Sequence, residues 1–322
     1  MSDLIWIRMI AAMFVIAFEV SHAQTFPSKM VRIIVPNAAG GPSDLVGRLL
    51  AQKLSEFWGQ AVILENRVGA GGNIGVDAVV KAAPDGYTLL VTNSAPIVVN
   101  QSLYANVPYD PVKDLAAISL LASAPQFLAV PGNSPMNSVA EVIRIAKAEP
   151  GKLTFSSIGN GTAPHLAGEM FKSQAGVNIL HVPYRSQPQA YAALVVGEVS
   201  MAFSVPTVLT LVQGGKLKVL AVTSKIRTSL APHLPTLVES GLPDYEMIAW
   251  YGLLAPVAIG GEIKAQLHAA TVRALGHSDV KAKLMGIGFE VVGNTPDQFS
   301  AHIQSESVRW ANLIKNAGIR AN

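Results

Sequence analysis

Short apolar runs alternate with longer amphipathic segments along most of the chain. The run at residues 31–35 predicts a buried strand, and the segment 43–57 carries apolar residues at i, i+3 and i+4 spacing, which predicts a helix packed on one face. The apolar stripe of this helix comprises Leu45, Val46, Leu49, Leu50 and Leu54. Strands and helices that alternate in this way indicate an α/β protein with a parallel sheet.

The same pattern recurs in two series. Further strands are predicted at 61–65, 87–91, 153–157, 179–183, 200–203, 219–223 and 250–254, and a longer extended run at 118–130. Further helices are predicted at 74–82, 138–148, 165–175, 189–196, 262–276, 279–285 and 295–317. Residues 123–126 are interpreted as a crossing between two domains. We expect residues 24–124 and 250–322 to form the first domain and residues 125–249 the second, with a hinge between them.

Loops of small residues follow several of the predicted strands. Residues 36–44 form such a loop, with a proline and an acid in the first helical turn, and residues 158–164 repeat its form in the second series. Exposed N–H groups at a helix N-terminus bind anions, and ligands of open α/β sheets lie beyond the carboxyl ends of strands. The loops 66–73 and 92–96 lie at such ends too. The pattern therefore predicts a carboxylate or phosphate site.

Composition narrows the functional classes. The chain has 322 residues, of which half are hydrophobic and 14% charged, and its net charge is +3. No cluster of Lys and Arg stands out, so nucleic acid is not an expected partner. The absence of cysteine from the sequence excludes a thiol nucleophile and a cysteine–zinc site.

The N-terminus has the features of a secretory signal. An apolar run at residues 9–18 follows Arg8, and Ser21 and Ala23 supply small residues at the −3 and −1 positions. This pattern predicts a signal peptide at residues 1–23, cleavage after Ala23 and a periplasmic mature protein. The alternative, a membrane anchor, needs roughly 20 apolar residues, which is longer than this run.

Motifs for cofactors and catalysis are missing from the sequence. The glycine-rich segments at 69–74 and 159–164 fail the dinucleotide pattern, and the sequence contains no P-loop, no nucleophile elbow and no metalloprotease helix. The histidines show no metal-ligand spacing, so no cofactor or metal is expected. A serine hydrolase that uses Ser43 or Ser156 is a remaining alternative, but the sequence places no base beside either serine.

The chain resembles the Bug (TctC-like) family of periplasmic solute receptors, which serve tripartite tricarboxylate transporters. The resemblance runs over the whole predicted mature chain and is carried by the segments 31–36, 39–44, 65–67, 69–75, 83–90, 156–162, 181–184, 215–223 and 250–253. It implies a two-domain periplasmic-binding-protein fold of the venus-flytrap type (type II), which closes by hinge motion on a small carboxylate. It also implies a monomer that hands its ligand to membrane permease subunits, or alternatively signals to a membrane sensor.

The resemblance also implies where the ligand lies. In the family, the loop after the first strand and a Ser-Ser…Gly-x-Gly loop hold the proximal carboxylate, and here these are the loops 37–43 and 156–162. The expected ligand-binding residues are Asn37, Ala38, Ala39, Gly40, Ser43, Asn93, Ser94, Ser156, Ser157, Gly159, Gly161, Thr162, His165, Arg185 and Ser204. Some family members carry an acid near residues 203–207 that meets a ligand ammonium. This chain lacks it, which favours a ligand without an amine.

Overall fold

The computed structural model describes residues 26–319 of the chain; the predicted signal peptide and its cleavage site lie outside the described residues. The strands are β1 (Val31–Val35), β2 (Val62–Asn66), β3 (Thr88–Asn93), β4 (Leu115–Pro125), β5 (Phe127–Pro131), β6 (Thr154–Ser157), β7 (Leu180–Pro183), β8 (Met201–Ser204), β9 (Leu217–Val222), β10 (Ile248–Pro256) and β11 (Glu290–Val291).

The helices connect and cover these strands. They are α1 (Pro42–Trp58), α2 (Asn73–Val80), α3 (Asn100–Leu103), α4 (Pro111–Asp114), α5 (Val139–Ala148), α6 (Ala163–Ala175), α7 (Gln187–Val195), α8 (Val208–Gln213), α9 (Gly261–Gly276), α10 (Ser278–Gly286) and α11 (Pro296–Ala317). A 3₁₀ turn at Ala70–Gly72 precedes α2, and a π-helical turn at Ala95–Val99 precedes α3.

The described strands form two mixed sheets. Sheet A has the order β11–β4–β10–β3–β1–β2, and sheet B has the order β7–β6–β8–β5–β9. The parallel arrangement predicted for the first three strands is confirmed, since β1 lies between β2 and β3 and runs parallel to both. Strands β6, β7 and β8 repeat this arrangement in sheet B. The α/β, two-domain fold expected from the sequence is therefore confirmed.

Helix α1 shows why the chain folds locally as it does. Pro42 occupies the first turn, where a missing N–H costs nothing, and Gly59 ends the helix in the left-handed conformation with φ 62°. Three residues of the predicted stripe, Val46, Leu50 and Leu54, are buried against the sheet. The predicted stripe was wrong at Leu45, which lies near the start of the helix and is 39% exposed.

The chain passes twice between the sheets. The extended run predicted at 118–130 is two strands, since β4 ends in sheet A at Pro125 and β5 begins in sheet B at Phe127. The return lies between β9 and β10. Thr223 joins the two crossings, because its hydroxyl donates to the carbonyl oxygens of Gln126 and Met247. Two chain segments that connect two sheets are the arrangement expected of a hinge. The exact domain limits stay a prediction.

Of the three apolar clusters among the described residues, two each belong to one sheet and the third includes residues of both. One cluster of buried residues lies between sheet A and helices α1, α9 and α10, and another lies between sheet B and helices α7 and α8. The third cluster runs across both sheets and includes buried residues of α6 and of the C-terminal helix α11. Helix α11 therefore packs against both halves of the molecule. None of the helices in residues 26–319 is both long and apolar enough to span a membrane.

Candidate functional site

A loop that follows β6 of sheet B meets helix α3, which lies after β3 of sheet A. Loop 156–162 contains Gly161, and a Cβ atom placed on this glycine would lie 2.3 Å from Leu103 Cδ2 of α3. Leu103 belongs to the segment that follows β3 in sheet A, so the carboxyl ends of the two sheets face each other. This is the position that the sequence predicts for a ligand.

Loop 37–43 is held in place by a buried carboxylate. Asp44, which is 2% exposed, accepts hydrogen bonds from Gly40 N–H at 3.0 Å and from the Arg48 guanidinium at 2.8 and 3.0 Å. Asn66 bridges the Asp44 carboxylate and the Asn37 carbonyl, at 3.0 and 2.9 Å. Burial raises the pKa of Asp44, but the hydrogen bonds from Arg48, Gly40 and Asn66 outweigh burial, so that the pKa is lowered overall.

These contacts leave part of loop 37–43 open. Ala38 and Ala39 are exposed, and their N–H groups donate to no described residue. Asn37 Oδ1 is buried without a hydrogen-bond partner in the described part of the chain, and Ser43 is buried in the first turn of α1. Gly40, with φ +77°, has no atom within 4 Å of its Cβ position. A ligand atom can therefore approach this backbone closely.

The segment after β3 supplies Asn93 and Ser94. Asn93 Oδ1 accepts a hydrogen bond from Ala95 N–H at 3.3 Å, and the Ser94 carbonyl accepts from two amides of the π-helical turn. Asn93 also pairs with Tyr251 of β10, which fixes its position beside the crossing. Turns of the π type are frequent at functional sites.

Loop 156–162 is organised by Ser157 and Gly159. Ser157 Oγ accepts a hydrogen bond from Gly159 N–H at 3.0 Å, and the Gly159 carbonyl accepts one from Thr162 Oγ1 at 2.6 Å. Gly159 has φ +118° and open space around its Cβ position, like Gly40 in the opposite loop. A side chain at either position would be strained by the positive φ and would occupy the open space beside its own loop.

Two histidines lie directly behind loop 156–162. His165 Nδ1 accepts a hydrogen bond from Gly161 N–H at 3.0 Å, and His181 Nε2 lies 2.6 Å from Ser157 Oγ. Their rings stack with centroids 4.1 Å apart, and Phe155 stacks on His181 at 4.9 Å. Burial, together with the neighbouring ring of His181, lowers the pKa of His165 to about 3, and burial lowers that of His181 to about 4. Both rings are neutral at pH 7 and brace the loop.

The contact between Ser157 and His181 does not form a hydrolase triad. A triad needs a third group that orients the histidine, and no carboxylate of the described residues hydrogen-bonds to His181. The ring is instead held by stacking between His165 and Phe155. The geometry fits a brace for the loop rather than a nucleophile and its base.

Arg185 and Ser204 occupy different places at the edge of sheet B. Arg185 follows β7, is exposed, and forms no ion pair with any described residue. Ser204 ends β8, is fully buried, and lies beside the Tyr191 hydroxyl, which is 3.3 Å from Thr207 Oγ1. The residues expected to bind ligand thus lie on the facing ends of both sheets, but Arg185 lies outside the hydrogen-bonded part.

Sequence reasoning missed two features of the site. Asp44 appears in the sequence only as an acid in a first helical turn, and its contact with Asn66 depends on the pairing of β1 with β2. His181 appears as an isolated histidine, although its register opposite Phe155 brings it against His165. A signal for the histidine contact was present, because Ser157 ends one predicted strand and His181 lies within the next predicted strand.

The electrostatic character of the site follows from these contacts. The loops carry hydroxyls and backbone N–H groups, and Arg48 is already paired with Asp44. No group of three His, Cys, Asp or Glu side chains within residues 26–319 could hold a metal ion. Such a site can bind an anion through neutral donors.

Comparison with known proteins gives consistent matches. The model of the tripartite tricarboxylate transporter family receptor matches residues 46–319. The protein BugT of Bordetella pertussis is 34% identical over 300 residues, which cover 92% of this chain and 92% of BugT. A protein from a Pseudomonas species, described by its place in the tcbD–tcbE intergenic region, is 36% identical and covers 92% of this chain and 89% of its own length.

Two similar solved structures contain carboxylate ligands. The R. palustris protein Rpa4515, solved with adipate, has a TM-score of 0.83 and 34% identity, covering 92% of this chain and 100% of its own. MatC from Rhodopseudomonas palustris, solved with malate, has a TM-score of 0.79 and 30% identity, covering 90% and 100%.

Proposed function

Because the chain belongs to the tripartite tricarboxylate transporter receptor family, we propose that it captures a small carboxylate between its two sheets and delivers it to membrane permease subunits. The family consists of periplasmic solute-binding receptors, and the chain is a receptor rather than an enzyme. Export by cleavage after Ala23 and action as a monomer belong to the same proposal.

One observation carries the choice of ligand class. Loop 156–162 of sheet B contacts Leu103 in the segment that follows β3 of sheet A, and loops 37–43 and 156–162 both carry small residues, hydroxyls and N–H groups. The carboxylate is met by these neutral donors, with Arg185 outside the contact. Adipate and malate, found in two relatives of the same fold, are both dicarboxylates of this general size.

Closure explains how such a site gains affinity. Neither loop alone surrounds a ligand, since each lies at the edge of its own sheet. When the sheets close, donors from both sides reach the same carboxylate and water is excluded, which strengthens each hydrogen bond. The hinge between the crossings at Gln126 and Thr223 permits this motion.

A thermal-shift screen of mono-, di- and tricarboxylates tests the proposal. A ligand that binds only the folded protein stabilises it by about 2.7 kcal/mol at one hundred times its Kd, so a bound acid raises the Tm by several degrees. Each hit is compared with its uncharged amide, such as succinate with succinamide. The proposal is wrong if no carboxylate raises the Tm, or if amides raise it equally.

Delivery to a permease is tested separately from binding. Membrane vesicles that contain the permease subunits should take up labelled ligand when the loaded receptor is added, and should not do so without it. Binding without such uptake would support the alternative in which the loaded receptor signals to a membrane sensor.

A further inference from the structure

The turn that joins α10 to β11 packs directly on the other half of the molecule. Gly288 in this turn is buried, with φ +83°, and a Cβ placed on it would overlap Pro206 Cβ and lie 2.7 Å from Pro206 Cγ. The same Cβ would lie 3.4 Å from Leu230 Cδ1. Gly288 belongs to the half that contains sheet A, whereas Pro206 and Leu230 belong to the half that contains sheet B. Backbone thus meets a proline ring between the halves, with no room for a side chain.

Both partners in this contact are held firmly by their own half. Gly288 N–H donates to a carbonyl of α10 at 2.9 Å, and Phe289, which is 4% exposed, packs on Tyr251 with ring centroids 5.1 Å apart. On the other side, Pro206 is buried and its carbonyl accepts from an N–H of α8 at 3.0 Å. Neither partner can move away without disturbing its own core, so a force at this contact is passed on to the two halves.

The contact lies on the far side of the hinge from the candidate site. Along the edge of sheet A that faces sheet B, the order is the start of β11, the end of β4, the start of β10, the end of β3 and the end of β1. Gly288 precedes β11, whereas Leu103 and loop 37–43 follow β3 and β1. The crossings connect to β4 and β10. These two strands therefore separate Gly288 from the loop of sheet A that is proposed to bind the ligand.

This arrangement makes the contact a stop for hinge motion. When the halves rotate about the crossings so that the gap at loop 37–43 widens, the space on the opposite side of the crossings narrows. That space is already filled in the structure, because Gly288 lies against Pro206. Packed protein interiors have low compressibility, so the contact resists further rotation in the opening direction.

We propose that Gly288 and Pro206 form a stop behind the hinge, which limits the opening of the gap and so sets the affinity of the receptor from outside the ligand site. Only the closed form holds a ligand from both sides, so the apparent Kd depends on the fraction of ligand-free molecules near that form. A wedge added to the stop favours closure, and removal of the stop favours opening. The link to affinity rests on the proposed function, whereas the limit on opening does not.

Distances between the halves test the stop without any ligand. The chain has no cysteine, so Ile63→Cys on β2 and Leu180→Cys on β7 place two spin labels at exposed positions, one on each half. These strands are the farthest from the crossings in their sheets, so double electron–electron resonance between the labels reports the width of the gap. In this background, Gly288→Ala should shift the distances to shorter values, whereas Pro206→Gly should extend them to longer values.

Affinity gives the second measurement. In calorimetry with the carboxylate that binds most tightly, Gly288→Ala should lower the Kd by at least about threefold, and Pro206→Gly should raise it by at least about threefold. When the two substitutions are combined, the added methyl group no longer meets the ring, so the Kd and the distances should return towards the values of the unmodified receptor. Pro206→Gly keeps the test decisive if Gly288→Ala does not fold.

Each substitution has a matched control. Gly293 lies at the other end of β11 with φ +70°, and a Cβ there would meet Leu275 and Val272 of its own half, at 3.5 and 4.0 Å. Gly293→Ala therefore reproduces the backbone strain without the wedge. Pro232→Gly, at an exposed position on the half with sheet B, controls for the loss of a proline. Both controls should leave the distances and the Kd unchanged, even where they lower the Tm.

The outcomes separate this inference from the proposed function. Unchanged distances in Gly288→Ala and Pro206→Gly overturn the stop, because the overlap is then relieved within the turn itself. Shifts opposite to those expected overturn it as well, since the contact would then lie on the same side of the hinge as the gap. Shifts in distance without a change in Kd overturn the link to affinity. Shifts as expected, with no binding of any carboxylate, leave the stop in place and show that the proposed function is wrong.

Discussion

The histidine pair behind loop 156–162 shows how single residues tie stability to the site. His165 accepts the Gly161 N–H at Nδ1, so a proton on that nitrogen would break the hydrogen bond. The stacked ring of His181, 4.1 Å away, would become a second positive charge in the same buried place. Both rings therefore resist protonation, as their lowered pKa values of about 3 and about 4 reflect.

The first prediction concerns acid stability. Below pH 6.5 the unfolded chain binds protons at His165 and His181 that the folded chain does not bind until pH 4 or lower. The free energy of unfolding should therefore fall as pH drops from 6.5 to 4, by up to about 1.4 kcal/mol per pH unit for each histidine. Urea unfolding at several pH values in this window measures the slope.

Replacing one histidine of the pair measures its contribution to the pH dependence of the free energy of unfolding. His165→Gln should make the slope shallower by about half of the pair's contribution, while His233→Gln, at an exposed position, should leave it unchanged. His302 on α11 also has a pKa lowered by burial, but it is present in every variant and cancels in the comparison. An unchanged slope in His165→Gln would mean that the pair does not resist protonation.

At the scale of the elements, the proposed ligand contacts are made by the backbones of the two loops. Gly161 lies against Leu103 with φ +75°, so any side chain there is strained and also pushes the loop away from α3. Arg185, by contrast, lies after β7 and is exposed. Within residues 26–319 it forms no hydrogen bond to either loop. The geometry of the loops, rather than a guanidinium, should therefore determine affinity.

The second prediction compares substitutions in these elements. Gly161→Val should weaken carboxylate binding at least tenfold, whereas Arg185→Ala should change it by less than about threefold, as measured by calorimetry. In a Gly161→Ala background, Leu103→Ala should restore part of the lost affinity, because it removes the atom that the new Cβ meets. If Arg185→Ala alone abolishes binding, a salt bridge holds the ligand and the backbone account is wrong.

The elements also show what the sequence could predict. Strands β1 and β3 are short, mostly apolar segments, which a buried position favours, and the alternation of strands and helices along the chain is typical of an α/β fold. The sequence indicates a crossing between domains at residues 123–126, and β4 of sheet A gives way to β5 of sheet B there, but it does not indicate which strands lie beside β4 and β5. Sheet order depends on long-range pairing, which no local pattern encodes.

The candidate site also has a part that could be predicted from the sequence and a part that could not. Small residues after a strand identify loops 37–43 and 156–162, because the requirement for positive φ and open backbone is local. The partners that fix these loops, Asp44 with Asn66 and Ser157 with His181, come from neighbouring strands and require the register.

At the scale of the whole molecule, helix α11 joins the two halves. It packs on β4 and the π-helical turn beside sheet A, and its Arg309 reaches the Met170 sulfur of α6 at 3.8 Å. The same guanidinium donates to the Glu246 carbonyl in the return crossing and to Glu306 at 2.9 Å. One side chain thus contacts the opposite half and a hinge segment together.

The third prediction follows from this position of Arg309. Arg309→Met should loosen the contact between α11, α6 and the crossing, so the ligand-free protein should populate open forms more often. Apparent affinity falls in proportion to the closed fraction, so the Kd should rise by about threefold to tenfold. Small-angle scattering of the ligand-free variant should give a larger radius of gyration, and saturating ligand should return it to the value of the unmodified receptor.

Lys315→Met provides the matched control, since it removes a positive charge from an exposed position on the same helix. It should change neither the Kd nor the radius of gyration. Arg309 also hydrogen-bonds within α11, so a variant that unfolds at lower temperature but binds and scatters like the unmodified receptor would show that the contact only stabilises the helix. A change in scattering that ligand reverses, which the control lacks, would instead place Arg309 in the closure of the two halves.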